Sequence, residues 1–391
     1  MNCPACMEQP MAERTQFPFG DFDGGLFNYS ASVLECPACG FVRNRGEFDD
    51  QTISQHYSEQ CLYSSQSGVG IGGCSAEDNI RYEHYVSVLQ KHGLTAGELV
   101  DVGCSRGGFL KHLHSRAPEQ YALSGVDLDS SSLATSEASV EFLHGNAFDL
   151  PFRDGTKDAV CYFHVLEHLL DIDAAFAECY RVLSSTGRAF IEVPDATLYD
   201  LSRVGTLFWM GMKEHTNHFS LPALLKLGKR HGLELVGFER SLLPMKGDVS
   251  YPSLIAVFSK STTAPLPVNS VEQVNFGRNI ISHLRQEQKY FAAEKANLLN
   301  ATRHQKTTFW GIGLEFLNLY AHGLLNEINT VQLIDANQSK QQLKVAGHPI
   351  IAPASAIPTD RLIICSYLSE KSIFNAAIKY GWTESQIFRL V

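Results

Sequence analysis

The sequence contains no apolar stretch approaching the about 18 to 20 residues that a membrane-spanning helix requires. Its N-terminus lacks a basic region followed by an apolar run, so no signal peptide is expected. It also lacks an excess of basic residues, because 42 acidic residues against 32 basic ones give a formal net charge of −10. These absences predict a cytoplasmic protein with neither a membrane nor a nucleic-acid partner. An anionic ligand would need a local basic pocket.

The 391 residues are enough for two or three domains with cores of their own. Short apolar runs alternate with helical patterns in two parts of the chain, as in βα units. The stretch STTAPLPVNS between them predicts a linker, and a long helix follows it. The predicted units are an N-terminal domain (1–95), a central α/β domain (96–260), the linker and helix (261–303), and a C-terminal α/β domain (304–391).

Four of the ten cysteines form two Cys-Pro-Ala-Cys motifs about thirty residues apart. A structural zinc ion binds four soft ligands in a tetrahedron, and two such motifs supply them. The alternative is a thioredoxin-like redox pair, but neither motif lies in the βαβ context that such a pair needs. We therefore predict a structural zinc ion that stabilises the N-terminal domain. Its ligands are Cys3, Cys6, Cys36 and Cys39.

The stretch ELVDVGCSRGGFLKHL predicts a strand, a glycine turn and the start of a helix. Gly103 would allow the backbone to approach a ligand closely. A second strand ends in Asp127, where a carboxylate can accept both hydroxyls of a ribose. The segments LHGNAFDLPF, DAVCYFHVLEHLLD and YRVLSSTGRAFIEVPD continue the alternation. The turn alone would also suit an NAD-binding Rossmann unit.

These five motifs, in this order, resemble the class I S-adenosylmethionine-dependent methyltransferases over residues 96–260. The resemblance implies an α/β fold with a Rossmann-like core and a mostly parallel seven-stranded sheet. It also implies S-adenosyl-L-methionine as cofactor, with the glycine turn at the methionine part, Asp127 at the ribose, and Ala147 with its neighbour at the adenine. The implied cofactor-binding residues are Asp101, Gly103, Cys104, Ser105, Gly107, Asp127, Leu128, Asn146, Ala147 and His164. The family usually has glycine at the position of Ser105.

A polar cluster in FWMGMKEHTNHFS contains a candidate general base. Histidine titrates near neutral pH, which suits the removal of a proton before methyl transfer. His215 is preceded directly by Glu214, a carboxylate that could orient it in a bent loop. The alternative is a surface loop without a catalytic role.

The whole layout resembles the sugar C-methyltransferases, which act on nucleotide-linked keto-deoxysugars. The resembling features are the cysteine motifs, a tyrosine-containing stretch with Tyr57 and Tyr63, the Glu214-His215 pair, and a small Rossmann-like C-terminal domain beginning FWGIGLEFLNLY. The resemblance implies His215, Glu214 and Tyr63 as catalytic residues. It also implies that His215 removes a proton beside a sugar ketone, so that the enolate carbon attacks the donor methyl group.

Three departures from that family leave the acceptor and the methylated atom open. Met212 stands where a tyrosine is usual, Lys213 where a histidine is usual, and PMKGDVSYPS replaces a His-Gly-Gly-Ser turn. An O- or N-methyltransferase acting on a small natural product remains an alternative, as does a non-catalytic binding protein. Lys213 would bind phosphate or be solvated. The turn at Gly311 and Gly313 would face an anion or belong to a structural lid. The protein is expected to be a monomer or a homodimer.

Overall fold

The computed structural model describes most of the chain. The described residues are 1–46, 49, 51–53, 56, 73, 75–128, 140–201, 204–245, 249–260 and 272–390. The linker 261–270 and both Tyr57 and Tyr63 lie outside them. Within the described part, no helix combines the length and the apolar character needed to cross a membrane.

The N-terminal domain is a small antiparallel sheet. Its own strands are β1 (Ala12–Pro18), β2 (Ser30–Glu35) and β3 (Val42–Arg45). A fourth strand, β9 (Asn217–His218), comes from the central part of the chain and pairs antiparallel with β3. The segment with the candidate base is thus built into the N-terminal sheet.

The central domain has a seven-stranded sheet in the order β10-β11-β8-β7-β4-β5-β6. Strand β11 pairs antiparallel with both β10 and β8, and the other four pairings are parallel, so the predicted mostly parallel Rossmann-like sheet is confirmed. The strands are β4 (Gly97–Val102), β5 (Tyr121–Asp127), β6 (Val140–His144), β7 (Lys157–Phe163), β8 (Leu183–Pro194), β10 (Glu234–Pro244) and β11 (Ser250–Ser259).

Helices cover both faces of this sheet. They are α1 (Ala76–Lys91), α2 (Gly108–Arg116), α3 (Ile172–Val182) and, later in the chain, α5 (Leu221–Arg230), whereas the short helix α4 (Gly205–Met210) packs with the N-terminal sheet and the long helix near residue 280. Alternate side chains of a strand point to opposite faces. Accordingly Leu99 packs in one apolar cluster and Val100 in the other. Helix α1, which falls within the predicted N-terminal unit, packs on the central domain, where Tyr85 stacks on Phe163 with ring centroids 4.0 Å apart.

The long helix α6 (Glu272–Thr302) leads to the C-terminal domain. Its six-stranded sheet has the order β14-β15-β13-β12-β16-β17 and carries the helices α7 (Leu314–Ala321) and α8 (Glu370–Lys379). The strands are β12 (Thr307–Trp310), β13 (Thr330–Ile334), β14 (Lys344–Val345), β15 (His348–Ile351), β16 (Arg361–Ile364) and β17 (Ile387–Arg389). This is the predicted small Rossmann-like unit.

The N-terminal and C-terminal domains touch each other directly. The carboxylate of Asp23 accepts hydrogen bonds from the backbone of Ala346 and Gly347, both at 2.8 Å. Gly20 lies so close to the backbone of Leu317 that a Cβ would sit 2.2 Å from its carbonyl oxygen. A side chain at position 20 would therefore separate the two domains.

Candidate active site

The glycine turn joins β4 to α2 through residues with left-handed backbone angles. Gly103 has φ 74° and Gly107 has φ 68°. A Cβ at Gly103 would lie 2.5 Å from Cγ2 of Val165, so both the angle and the space require glycine. Ser105 has φ 50°, which explains why glycine suits this position in the related family. The backbone N–H of Ser105 donates to the carboxylate of Asp127 at 2.7 Å.

Two predicted cofactor residues of this turn are buried. Burial, reinforced by the charge of Asp127, raises the pKa of Asp101 well above its usual range. Burial and both of these carboxylates also raise the pKa of Cys104, which keeps its thiol neutral. The sulfur of Cys104 packs against Gly125, where a Cβ would lie 2.7 Å from it. Only the backbone of Cys104 therefore lies along the turn.

The predicted adenine and ribose positions follow the neighbouring strands. Asn146 follows β6, and its side-chain oxygen accepts a hydrogen bond from the backbone of Phe148 at 2.8 Å. Ala147 beside it is buried. Asp127 and Leu128 stand at the end of β5, next to the undescribed segment 129–139. All of these positions meet at the carboxyl edge of the parallel sheet, where ligands of open α/β folds bind.

His164 follows β7 at this same edge, between two fully buried carboxylates. Its Nε2 lies 2.9 Å from Oε2 of Glu192, and its Nδ1 lies 3.4 Å from Oε1 of Glu167. Burial alone would lower the pKa of His164, but the charge of Glu192 and the contacts with both carboxylates raise it. Its φ of 60° is a strained value for a non-glycine residue. The imidazole is thus held in one place.

Glu192 is the centre of a buried polar network that the sequence reasoning missed. It accepts hydrogen bonds from Ser253 Oγ at 2.5 Å and from the hydroxyl of Tyr85. Burial would raise the pKa of Glu192, but the charges of His164 and Arg81 lower it to about 2. These partners come from different strands and helices, so no local sequence pattern predicts their contacts with Glu192. The available sequence signal for this network was Glu192 itself, a charged residue within the apolar run of β8.

The candidate base His215 lies in the loop between α4 and α5. Its ring is edge-on to that of His168, with centroids 4.8 Å apart, and Nδ1 of His168 lies 3.1 Å from the backbone oxygen of Glu214. One side-chain atom each of Glu167, His168 and His215 lies within 4.8 Å of the others. Burial and three surrounding histidines lower the pKa of His215 well below its usual value. His215 is therefore neutral at neutral pH.

The N-terminal sheet fixes this loop. Asn44 donates its backbone N–H to the carbonyl of Thr216 at 2.9 Å. Arg43 Nε donates to the side-chain oxygen of Asn217 at 2.7 Å. The amide nitrogen of Asn217 donates in turn to the carbonyls of Leu166 and Leu169, at 2.8 and 2.7 Å. One asparagine thus connects the N-terminal domain to the turn that carries Glu167 and His168.

Lys213 has neither of the two predicted environments. Its ammonium group pairs with the buried carboxylate of Asp21 and lies over the rings of Phe22 and Phe27, 5.6 and 5.2 Å from their centroids. Asp21 also accepts from the backbone of both phenylalanines. This lysine thus attaches the N-terminal domain to the candidate base loop.

The four predicted zinc ligands meet in one buried cluster. Sγ of Cys3 lies 3.5 Å from Sγ of Cys39, and Sγ of Cys6 lies 3.6 Å from Sγ of Cys36. In a tetrahedron with Zn–S bonds of about 2.3 Å, two sulfurs stand about 3.8 Å apart. Hydrogen bonds from Cys3 and Cys39 lower the pKa of Cys36 to about 2, while hydrogen bonds with Cys3 and Cys36 raise the pKa of Cys39. The cluster fits a tetrahedral zinc ion, which would allow all four sulfurs to be thiolates.

The glycine turn of the C-terminal domain repeats the central one on a smaller scale. It joins β12 to α7, and Gly311 has φ 95°. The carboxylate of Asp335 accepts a hydrogen bond from the backbone of Ile312 at 2.9 Å and pairs with Lys340 at 3.1 Å. This carboxylate, which follows β13, already has partners within the protein.

Comparison with known proteins identifies the central domain. Residues 100–191 match the family model described as "Methyltransferase domain". This part of the chain is therefore a methyltransferase domain, and the predicted Rossmann-like methyltransferase fold is confirmed. The finer assignment to sugar C-methyltransferases stays a prediction.

Two curated relatives each match less than half of the chain. The chain is 28% identical over 169 residues to a probable S-adenosylmethionine-dependent methyltransferase of Mycolicibacterium smegmatis. The matched region covers 42% of this chain and 61% of that protein. It is 27% identical over 194 residues to ajmaline N-methyltransferase of Rauvolfia serpentina, and this match covers 46% of this chain and 55% of that protein. The chain thus spans less than two thirds of these relatives. A solved structure, the PH0226 protein of Pyrococcus horikoshii, has 20% identity and a TM-score of 0.39, covering 55% of this chain and 100% of its own.

Proposed function

We propose that this protein is an S-adenosylmethionine-dependent methyltransferase that methylates a carbon atom beside a ketone, on a nucleotide-linked keto-sugar or a related small metabolite. The observation that carries the proposal is the position of His215. The loop 211–218 brings this histidine against His168, only four residues after His164 at the end of β7. A candidate base and the predicted donor site therefore lie at the same edge of the sheet.

The donor site would bind the cofactor through the residues described above. The turn from Gly103 to Gly107 accepts the methionine part, Asp127 faces the ribose, and Ala147 with Asn146 faces the adenine. When bound, S-adenosylmethionine supplies an electrophilic methyl group on a sulfonium. Methyl transfer then depends mainly on holding the acceptor carbon in line with the C–S bond. The imidazole of His164 closes this pocket beside Glu192.

His215 would take the proton from the carbon beside the ketone. The C–H electron pair then delocalises onto the carbonyl oxygen, and the enolate carbon forms the new bond to the methyl group while the C–S bond breaks. Glu214 and Tyr63 remain candidates for assisting residues. Tyr63 lies outside the described residues.

The four-cysteine cluster would hold a structural zinc ion. A closed set of four thiolates leaves no open position for substrate or water, so this ion stabilises the fold rather than the reaction. The C-terminal domain, which contacts the N-terminal domain through Asp23, is proposed to contribute to acceptor binding.

Titration with S-adenosylmethionine followed by calorimetry tests the donor site, and the absence of binding would favour a non-catalytic binding protein. Candidate acceptors are then screened by mass spectrometry for the gain of one CH2 unit. In D2O, the acceptor carbon beside the ketone should exchange hydrogen for deuterium in an enzyme-dependent manner.

His215→Ala should abolish this exchange, whereas His231→Ala should not, because His231 pairs with Asp173 at 2.8 Å on the outside of the domain. Methyl transfer that survives His215→Ala would exclude His215 as the base. An O- or N-methyltransferase, as in the named activity of the Rauvolfia relative, would then be the better assignment.

A further inference from the structure

Glu167 is a fully buried carboxylate surrounded by imidazoles. Its side chain has no exposed area, and neither of its oxygens has a well-aligned hydrogen-bond donor among the described residues. Its nearest ionisable neighbour is Nδ1 of His164 at 3.4 Å. Leaving a buried carboxylate without a well-aligned donor is costly, so a further group that donates to Glu167 would stabilise it.

His215 carries a complementary group. Its Nδ1 is buried and lacks a hydrogen-bond partner among the same residues. A nitrogen of this ring lies within 4.8 Å of a Glu167 oxygen, in the same cluster as His168. An imidazole Nδ1–H donates and a carboxylate accepts, and hydrogen bonds of catalytic groups are often long before the substrate binds.

We propose that Glu167 is the positioning residue of the candidate base: it accepts a hydrogen bond from Nδ1–H of His215, so that Nε2 presents its lone pair to the acceptor. This inference rests on the proposed function, in which His215 removes a proton. It assigns to Glu167 the orienting role that adjacency in sequence suggested for Glu214. Glu214 contacts His168 in this cluster through its backbone oxygen.

The electrostatic surroundings of His215 indicate what a neighbouring carboxylate would contribute. Burial, followed by His168, His218 and His164, lowers the pKa of His215, which would make it a weak base. A carboxylate that accepts a hydrogen bond from its ring would oppose that effect, because it would stabilise the imidazolium that forms when the proton is taken. Glu167 also faces His164, so the same charge serves both histidines.

A divalent cation on Glu167, His168 and His215 is the competing arrangement. Two ligands of one zinc ion stand at most about 4.2 Å apart, since each bond is about 2.1 Å long, and the 4.8 Å limit of this cluster is looser. A metal-bound nitrogen also could not accept the proton. The test below includes this arrangement as an outcome.

The test measures the pKa of His215 by 15N NMR on protein with labelled histidine, with the His215→Ala spectrum assigning the signal. Glu167→Gln should lower that pKa by about one pH unit, and Glu167→Asp should restore part of it. Glu178→Gln is the matched control, because Glu178 pairs with Arg181 instead of a histidine. S-adenosylmethionine titration of each variant verifies its fold.

Because this readout needs no acceptor, it can fail independently of the proposed function. An unchanged pKa in Glu167→Gln, or a lowered one in Glu214→Gln instead, would overturn the assignment. So would one Mn²⁺ bound per chain that is lost in Glu167→Gln, since Mn²⁺ prefers oxygen and nitrogen ligands over the thiolates of the cysteine cluster. With an active acceptor, Glu167→Gln should also move the rising limb of kcat/KM to lower pH, which a merely structural defect would not do.

Discussion

Replacing Gly103 by alanine tests whether the donor turn is constrained as the structure indicates. The left-handed φ of 74° costs an L-residue roughly 1–2 kcal/mol. The added Cβ would lie 2.5 Å from Cγ2 of Val165, a stiff β-branched side chain, and such overpacking costs roughly 1–3 kcal/mol. Gly103→Ala should therefore lower the free energy of unfolding by about 2–5 kcal/mol and weaken S-adenosylmethionine binding.

A double-mutant cycle separates the two costs. Val165→Ala removes both γ carbons and leaves Cβ of residue 165 at 3.6 Å, an ordinary contact. In that background Gly103→Ala should cost only the backbone part, roughly 1–2 kcal/mol, so the coupling energy should equal the overpacking cost. Urea unfolding gives the four free energies, and calorimetry gives the four dissociation constants. Strictly additive effects would refute the close approach of Val165 to this turn.

Two further predictions concern the N-terminal domain and the candidate base loop. Cys36→Ser should remove a zinc ligand and weaken acceptor binding while leaving the dissociation constant of S-adenosylmethionine nearly unchanged, and equal loss of both affinities by calorimetry would contradict this. Burial lowers the pKa of His218 from 6.5 to about 3. Between these pH values the unfolded chain binds a proton at His218, whereas the folded protein does not. Stability should thus fall as the pH drops from 6.5 towards 3, by about 2 kcal/mol at pH 5 from this residue alone, and His218→Gln should flatten the measured slope.

The central fold was predictable because its signals are local. The strand before Gly103 and the acidic residue ending the next strand each lie within a few residues of the feature they specify. The same holds for the cysteine motifs, whose two-residue spacing within each pair is the spacing that a shared metal ion would need. Segment 271–303 likewise carries its helical pattern within itself, and the observed helix Glu272–Thr302 matches it.

The candidate site was only partly predictable, since its contacts join distant parts of the chain. The sequence HVLEH holds His164, Glu167 and His168 at helical spacings, which could have indicated one face, but nothing in it indicates that Glu192 or His215 is adjacent. The pairing of β3 with β9 joins residues 174 positions apart, as in the contact of Arg43 with Asn217. A two-residue strand carries no pattern that would identify its partner.

These long-range contacts divide the site into two halves with different supports. The donor half, from Gly103 to Asp127 and Ala147, is built from consecutive strand ends of one sheet. The candidate base is held differently, because β9 belongs to the N-terminal sheet and Asn217 receives a hydrogen bond from Arg43 while donating two to the turn at Leu166 and Leu169. If the cysteine cluster holds the proposed zinc ion, its loss should loosen β3 and, through the β3–β9 pairing, change the distance between His215 and Glu167, while the strands of the donor half keep their own core. On the proposed function, the cysteine cluster would thus affect proton removal through a single pair of strands.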